Sequence, residues 1–581
     1  MVVVTGWQNS RRFSPLRVIG LLFVLVLALP VLGSVASANP PTTCASSKAK
    51  GSPPVEVPSQ DPCHVSMQFL SVSDWHAQLD PLSGGIGGAA AISSYWQQDR
   101  ADFDGRTITL TAGDAYGAAP PLSGFFDEVP GVLAMRLMGF DVDTFGNHNF
   151  DRGIEHLQQM IDLAASTDEP GTPFKYVSAN LENRDDNLKG VEDYAIFEVD
   201  RVKVAVIGLT NEEAPTLVFP GNFGTIEVTD AVEAANRARE AAARDGAKVF
   251  IVITHKGITG TDAAGNPSGP LVDFANAVEG FHVIFGDHTD AEFEAVINGQ
   301  LVVENRSRGA TYARTKLTVD RRDGSLVDVS NQFVTPVAGN VTPDPAIVEM
   351  LQPFRQDLAA AFDAEIGVAT DTFPRGGDPA VERVGETPLG NLITDSMRLR
   401  YGADIAFTNG GGIRTPLPSS YAPQDTSLRR PAAGYAAGPP WDLVVGDVFA
   451  TLPFGNQVIT RTVTGELLWE ILEHGVAAMP GANGRFPQVS GFRFTYDVAL
   501  PAGSRVVSVQ LDDGTPIPRD GTTYVLATND FVNAGGDGYT MLSADPGDTA
   551  TREIMADVLL EHIKALGVIT PTLEGRIVRL N

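Results

Sequence analysis

Asp74, His76, Asp114, Asn147, His255, His288 and Asp290 are the residues whose types and spacing could do chemistry in this chain. They fall in five polar clusters: Ser73-Asp74-Trp75-His76, Gly113-Asp114, Phe145-Gly146-Asn147-His148-Asn149-Phe150-Asp151, Thr254-His255 and Gly286-Asp287-His288-Thr289-Asp290. Carboxylates, imidazoles and amides are ligands of hard or borderline divalent ions, and a bridging carboxylate is a common way to hold two such ions close together. Asp74 and His76 are two residues apart, so both side chains can face one site if the chain stays extended there, and His288 and Asp290 repeat the spacing. Any one Asp or His at a strand end is more often a cap or a satisfied turn residue. The order and placement of all five clusters carry more weight than any one of them, and together they supply seven candidate ligands without a cysteine.

Such a site needs a scaffold, and each cluster follows, at once or within a few residues, a short apolar run that reads as a buried strand. The strand candidates are Val65 to Val72, Thr107 to Leu110, Val202 to Gly208, Val249 to Ile253 and Val283 to Phe285. Helical patterns lie between them, over Gly131 to Met138, Ile154 to Ala165 and Thr229 to Asp245. This alternation predicts a layered α/β sheet, and in such sheets ligands sit beyond the carboxyl ends of the strands, where the clusters fall. A second unit follows Pro343-Asp344-Pro345 and a helix over Ala346 to Ala364, which Pro353 should kink or restart. Past it come strands over Val506 to Leu511 and Tyr524 to Ala527, and a Pro-, Ala-, Ser- and Gly-rich stretch from Pro416 to Pro440 that reads as a long surface loop.

At 581 residues the chain is too long for one ordinary core, so two large domains are expected. Its net charge of −29 argues against nucleic acid or an anionic membrane as the principal partner. A phosphate-bearing substrate would need a local cationic centre made of metal ions or focused arginines. Arg11, Arg12 and Arg17 precede the apolar stretch Val18 to Leu32, and Ala36-Ser37-Ala38 follows, the pattern of a secretory signal over residues 1–38. An apolar run of about 15 residues is short for a membrane span, so the protein is expected to be exported and secreted, periplasmic or surface-bound. Two cysteines, Cys44 and Cys63, suggest one disulfide tying down the mature N-terminus over residues 39–64.

The motifs D-x-H, G-D, G-N-H, a lone H and a closing G-x-H-x-D, in that order, resemble those of the calcineurin-like metallophosphatase superfamily. The resemblance implies that Asp74, His76 and Asp290 hold a first ion, that Asp114 bridges, and that Asn147, His255 and His288 hold a second. His148 would remain free to stabilise charge developing on phosphate or the leaving oxygen, with Asp151 orienting its ring. The chain departs from the pattern at Asp290, where His is common, and at Asp287, where Gly is usual. An anionic oxygen at Asp290 favours Mn²⁺, Mg²⁺ or Ca²⁺ over Zn²⁺.

The second half carries Glu386-Thr387-Pro388-Leu389-Gly390-Asn391-Leu392, Thr408-Asn409-Gly410-Gly411-Gly412-Ile413-Arg414, Leu452-Pro453-Phe454-Gly455-Asn456 and Asn529-Asp530-Phe531 continuing to Asp537. Alone, the triple glycine is equally a structural turn or an anion-binding loop, and phenylalanines beside such turns are more often core than binding platform. Taken in order behind the phosphatase motifs, the four segments resemble the C-terminal domain of the 5′-nucleotidase and UDP-sugar hydrolase family. That likeness implies that Phe454 and Phe531 sandwich a nucleobase, that Asp537 accepts hydrogen bonds from ribose, and that Arg383, Asn409 and Arg414 hold the phosphate side. It also implies that the C-terminal domain rotates about the interdomain helix.

The expected architecture is a layered α/β sandwich metallophosphatase domain at 65–336, a linker helix at 337–364 and a smaller α/β substrate-binding domain at 365–581. The expected activity is metal-dependent hydrolysis of nucleoside monophosphates with two divalent ions. The alternatives are UDP-sugar hydrolase, nucleotide pyrophosphatase or 2′,3′-cyclic-nucleotide phosphodiesterase activity, a sulfur-ester hydrolase on the same scaffold, or a nucleotide-binding surface protein with a decayed site.

Overall fold

The computed structural model describes residues 63–581 except 83, 262–265, 376–380 and 546. The secretory-type segment and Cys44 lie outside the described residues. Cys63, at their start, is disulfide-bonded.

Two sheets stack face to face in the first half. Seven strands run in the order Leu326–Val334, Tyr312–Asp320, His64–Val72, Arg106–Thr111, Val142–Asp143, Lys175–Val177, Val191–Glu192. Six more run Phe293–Ile297, Gln300–Glu304, Val283–Phe285, Ala247–Thr254, Val202–Leu209, Tyr194–Val199. The alternation of a strand decides which layer each residue enters. Met67 and Phe69 enter the inter-sheet core with Val204, Val206, Ile251 and Phe285, and the Phe69 and Phe285 rings meet at 5.9 Å. Leu70 and Val72 face the other way, against the helices Ala89–Ala101, Val129–Met138 and Gly153–Ala165. Ala205, Ile207 and Val252 likewise pack outward on Ala231–Arg244 and Pro270–Ala277. The result is a helix–sheet–sheet–helix sandwich, with the sequence-expected strands extended by a residue or two at their ends.

The helix Pro345–Phe362 then crosses to the second half as one element, with Pro353 inside it and no fresh start there. Asp344 caps it, accepting from the Ala346 N–H at 3.0 Å. Pro353 and Glu349, whose carbonyl loses its partner to the proline, both lie on the exposed side, where water can take that bond. Beyond it, strands 365–580 form a five-stranded sheet centred on Thr523–Asn529 and two three-stranded sheets.

The 416–440 stretch is more than a surface loop. Leu417, Tyr421 and Leu428 are buried, and Tyr421 donates to Asp363 at the end of the long helix at 2.6 Å. Arg430 is 3% exposed and is held by both oxygens of Asp447 and the Tyr421 carbonyl. A segment with so many fixed backbone partners packs as core despite its loop-like composition.

Candidate metal centre and nucleotide cavity

Both sheets deliver their strand ends to one place. Asp74, Asp114 and Asn147 follow three adjacent parallel strands of the larger sheet; His255, Asp287 and His288 follow two neighbouring strands of the smaller one. Ligands from separate loops meet only if those loops are packed tightly. A Cβ on Gly146 would collide with the Asp114 carboxylate, and one on Gly113 would come within 2.5 Å of the Gly146 nitrogen. Asn149, whose role the sequence did not disclose, pins both turns, its Oδ1 accepting from Asp114 N–H at 3.1 Å and Gly146 N–H at 2.8 Å. Asp74, His76, Asp114 and His288 all adopt positive φ, a conformation that costs energy and clusters at functional sites.

Asp74, His76 and Asp114 form one group of ligand atoms lying within 4.8 Å of each other, and Asp74, His255 and Asp287 form a second. His255 Nε2 lies 3.0 Å from Asp114 Oδ2 and 3.1 Å from His288 Nδ1. All but His288 are buried. Asn147 is buried beside them. Asp290 stands apart: it is exposed, and its Oδ1 accepts from Ser307 N–H and Oγ at 3.0 and 2.9 Å.

The electrostatics are those of a cation site. Asp74 Oδ1, Asn147 Oδ1 and Asp287 Oδ2 are buried acceptors with no hydrogen-bond partner, an arrangement that is costly unless a cation joins them. His76 directs Nδ1 at the Gly117 carbonyl, 2.8 Å away, which makes Nε2 the ring's acceptor, the atom a metal would take and one that Arg414 Nη2 approaches to 3.3 Å. Burial, then Arg414, Arg308 and His148, push its pKa well below the usual histidine range, so the ring is neutral, as metal ligation requires. Asp287 shifts upward, through burial and then the neighbouring Asp74 charge. Burial acts against ionisation of both Asp114 and His255, yet their mutual attraction dominates, holding Asp114 down and raising His255 to about 9. The residues therefore fit two divalent ions.

His148 projects from a short turn above this cluster. Its backbone N–H donates to Asp114 Oδ1 at 2.8 Å, while its ring Nδ1 lies 2.9 and 3.1 Å from the two Asp151 oxygens. That geometry fixes the ring and leaves Nε2 available.

A cavity of about 640 Å³ opens onto Asn147, His148, Asp151 and His288 and is closed opposite them by Arg383, Asn409, Arg414, Phe454, Phe531 and Asp537. Phe454 stacks on His148 at 5.6 Å and 18°. Arg414 sits over Phe454 at 5.7 Å and places Nη2 3.3 Å from His76 Nε2. Asn409 donates to Asp537 at 2.6 Å, so these two act as one polar unit. Phe531 lies 6.4 Å from Phe219, an aromatic of the first half that the sequence did not single out. Arg308 and Arg375 were also missed, because neither sits in a motif. Burial and mutual repulsion among Arg308, Arg375, Arg383 and Arg414 lower the pKa of three of these guanidinium groups, Arg308 to about 9. Of the four, Arg383 and Arg414 line the cavity, and Arg375 is paired with Glu382 at 2.9 Å.

Residues 365–544 match the family model described as the 5′-nucleotidase C-terminal domain. The chain is 29% identical to the trifunctional nucleotide phosphoesterase protein YfkN of Bacillus subtilis (strain 168), with 88% of this chain and 35% of that protein covered. It is 28% identical to endonuclease YhcR of the same organism, with 88% and 41% covered. It thus spans less than half the length of these two relatives. The crystal structure of the 5′-nucleotidase precursor from Thermus thermophilus is 27% identical with a TM-score of 0.76, covering 89% of this chain and 99% of that one. A metallophosphatase-type α/β sandwich thus stands ahead of a 5′-nucleotidase C-terminal domain, and the chain is similar over most of its length to the Thermus 5′-nucleotidase precursor.

Proposed function

We propose that this protein is an exported, metal-dependent phosphoesterase that hydrolyses nucleoside 5′-monophosphates to nucleoside and phosphate. The observation that carries this reading is the cavity shared by His148, the paired arginines Arg383 and Arg414, and the aromatic faces of Phe454 and Phe531. Asp74, His76, Asp114, Asn147, His255 and His288 would hold the ions, with Asp290 as the motif's further candidate. Bound divalent ions would supply Lewis-acid activation of water and neutralise phosphoryl charge. The chain's own residues do the rest. Arg383 and Arg414 bind the phosphate oxygens, Phe454 and Phe531 orient the base, and Asn409 with Asp537 takes the ribose hydroxyls. His148, steadied by Asp151, donates a hydrogen bond through Nε2 to the oxygen on which charge develops.

A broader specificity that includes anhydride or cyclic phosphates is favoured by one feature, the continuation of the cavity along Tyr116, Glu128, Arg152 and His156. The trifunctional relative is in keeping with it. Steady-state hydrolysis of AMP, UDP-glucose and 2′,3′-cyclic AMP under defined Mn²⁺ tests both readings. AMP is expected to give the highest kcat/KM, with activity lost to a chelator and restored by metal. Metal-loaded protein that releases no phosphate from AMP would sink the proposal. Export rests on Arg11, Arg12, Arg17, the apolar Val18 to Leu32 and Ala36-Ser37-Ala38, and recovery of a chain beginning at Asn39 outside the cell would test it.

A further inference from the structure

We propose that Asp287 is an additional anionic ligand of the metal centre, making this site richer in carboxylate than its motifs imply. The inference rests on the metal-dependent reading above. Asp287 is fully buried, and its Oδ1 is taken by the His288 N–H at 2.8 Å. Its Oδ2 is buried with no partner, as is Asp74 Oδ1, and Asp287 and Asp74 share a group of ligand atoms with His255 that lie within 4.8 Å of each other. Two carboxylates so placed repel when both are ionised, and a shared cation removes the conflict.

Local backbone geometry makes this possible. Consecutive residues of an extended chain point to opposite sides, but His288 has φ 82. The turn lets Asp287 reach Asp74 and His255 while His288 Nδ1 still lies 3.1 Å from His255 Nε2. Lys256 holds the loop from behind, its carbonyl accepting the Asp287 N–H at 2.9 Å. A Cβ on Gly257 would come within 2.6 Å of the Asp287 carbonyl oxygen, so the close packing depends on that glycine. Asp290, by contrast, spends Oδ1 on two Ser307 donors. Three carboxylates, from Asp74, Asp114 and Asp287, favour Mn²⁺ or Mg²⁺ over Zn²⁺.

The test uses the full chain, wild type and Asp287→Asn, stripped of metal and titrated with Mn²⁺ and Zn²⁺ by calorimetry, with melting followed in parallel. The amide keeps the acceptor for His288 and removes the charge. Mn²⁺ affinity is expected to fall about tenfold or more, Zn²⁺ affinity to fall less, and the metal-free Tm to hold or rise. Equal Mn²⁺ affinity in the two proteins would overturn the assignment. So would an equal drop in Tm with and without metal at unchanged affinity, since that marks a purely structural role. Wild-type protein that takes up no divalent ion would instead sink the proposed function itself.

Discussion

His148→Ala separates chemistry from metal binding, because the two depend on different atoms of the same residue. The backbone N–H is the part that supports the cluster, donating to Asp114 Oδ1 at 2.8 Å, and alanine retains it. The ring contacts His76 edge-on at 5.2 Å and Phe454 face-on at 5.6 Å, and it is in neither group of ligand atoms. General acid–base assistance contributes about 10²- to 10⁴-fold, equivalent to roughly 2.7 to 5.5 kcal/mol of barrier. We therefore expect kcat for AMP to fall by about that factor, with two metal ions per chain retained and KM changed little. Asp151→Asn should give a smaller loss, since one acceptor survives but its charge does not. Asp151 acts through the ring, so adding Asp151→Asn to His148→Ala should cost nothing further. Steady-state kinetics at saturating Mn²⁺, paired with elemental analysis of the same samples, provide the assay. The reasoning fails if metal leaves with the ring, if kcat stays near the wild-type value, or if Asp151→Asn retains its full effect in the double variant.

Phe454→Ala should raise KM for AMP by roughly five- to 150-fold, since base–aromatic stacking is worth about 1–3 kcal/mol, while hydrolysis of p-nitrophenyl phosphate, which has no base, changes far less. Glu128 is buried at φ 64, and burial raises its pKa to about 7 from an ordinary 4.5. Because the folded state holds this proton more tightly than the unfolded chain, stability from Glu128 is present below pH 4.5 and is lost as pH rises towards 7. Glu128→Gln should therefore match wild type in denaturant titrations near pH 4.5 and exceed it by up to about 3 kcal/mol at pH 8. Arg430→Ala strands the buried Asp447 carboxylate and should cost about 3–5 kcal/mol of stability in the same titrations.

Much of the scaffold was legible because its signals are local. Apolar runs such as Val249 to Ile253 mark buried strands whatever surrounds them, and the polar residue that ends each run is written directly after it. The residue types that cluster at the strand ends and their chain order were therefore available from sequence, while the roles expected of His148, Asp151 and Phe454 came only from the family resemblance. The long 416–440 segment was misjudged because composition reports surface preference and not partners: Arg430 and Asp447 neutralise each other inside the fold.

Sequence alone determined which ligand types were present and in what order, a set of Asp, His and Asn suited to divalent ions. Only the tertiary structure decided which carboxylate of the last motif turns inward. Asp287 and Asp290 are equivalent as letters, but a positive φ at His288 and two donors on Ser307 send one into the cluster and leave the other at the surface. The same holds for Arg308 and Phe219, which belong to no motif and gain their places beside Asp74 and across the cavity from Phe531. Periodicity records how each segment folds upon its neighbours in the chain; a site is made by contacts between segments far apart in it, and those are set by the packing of whole layers.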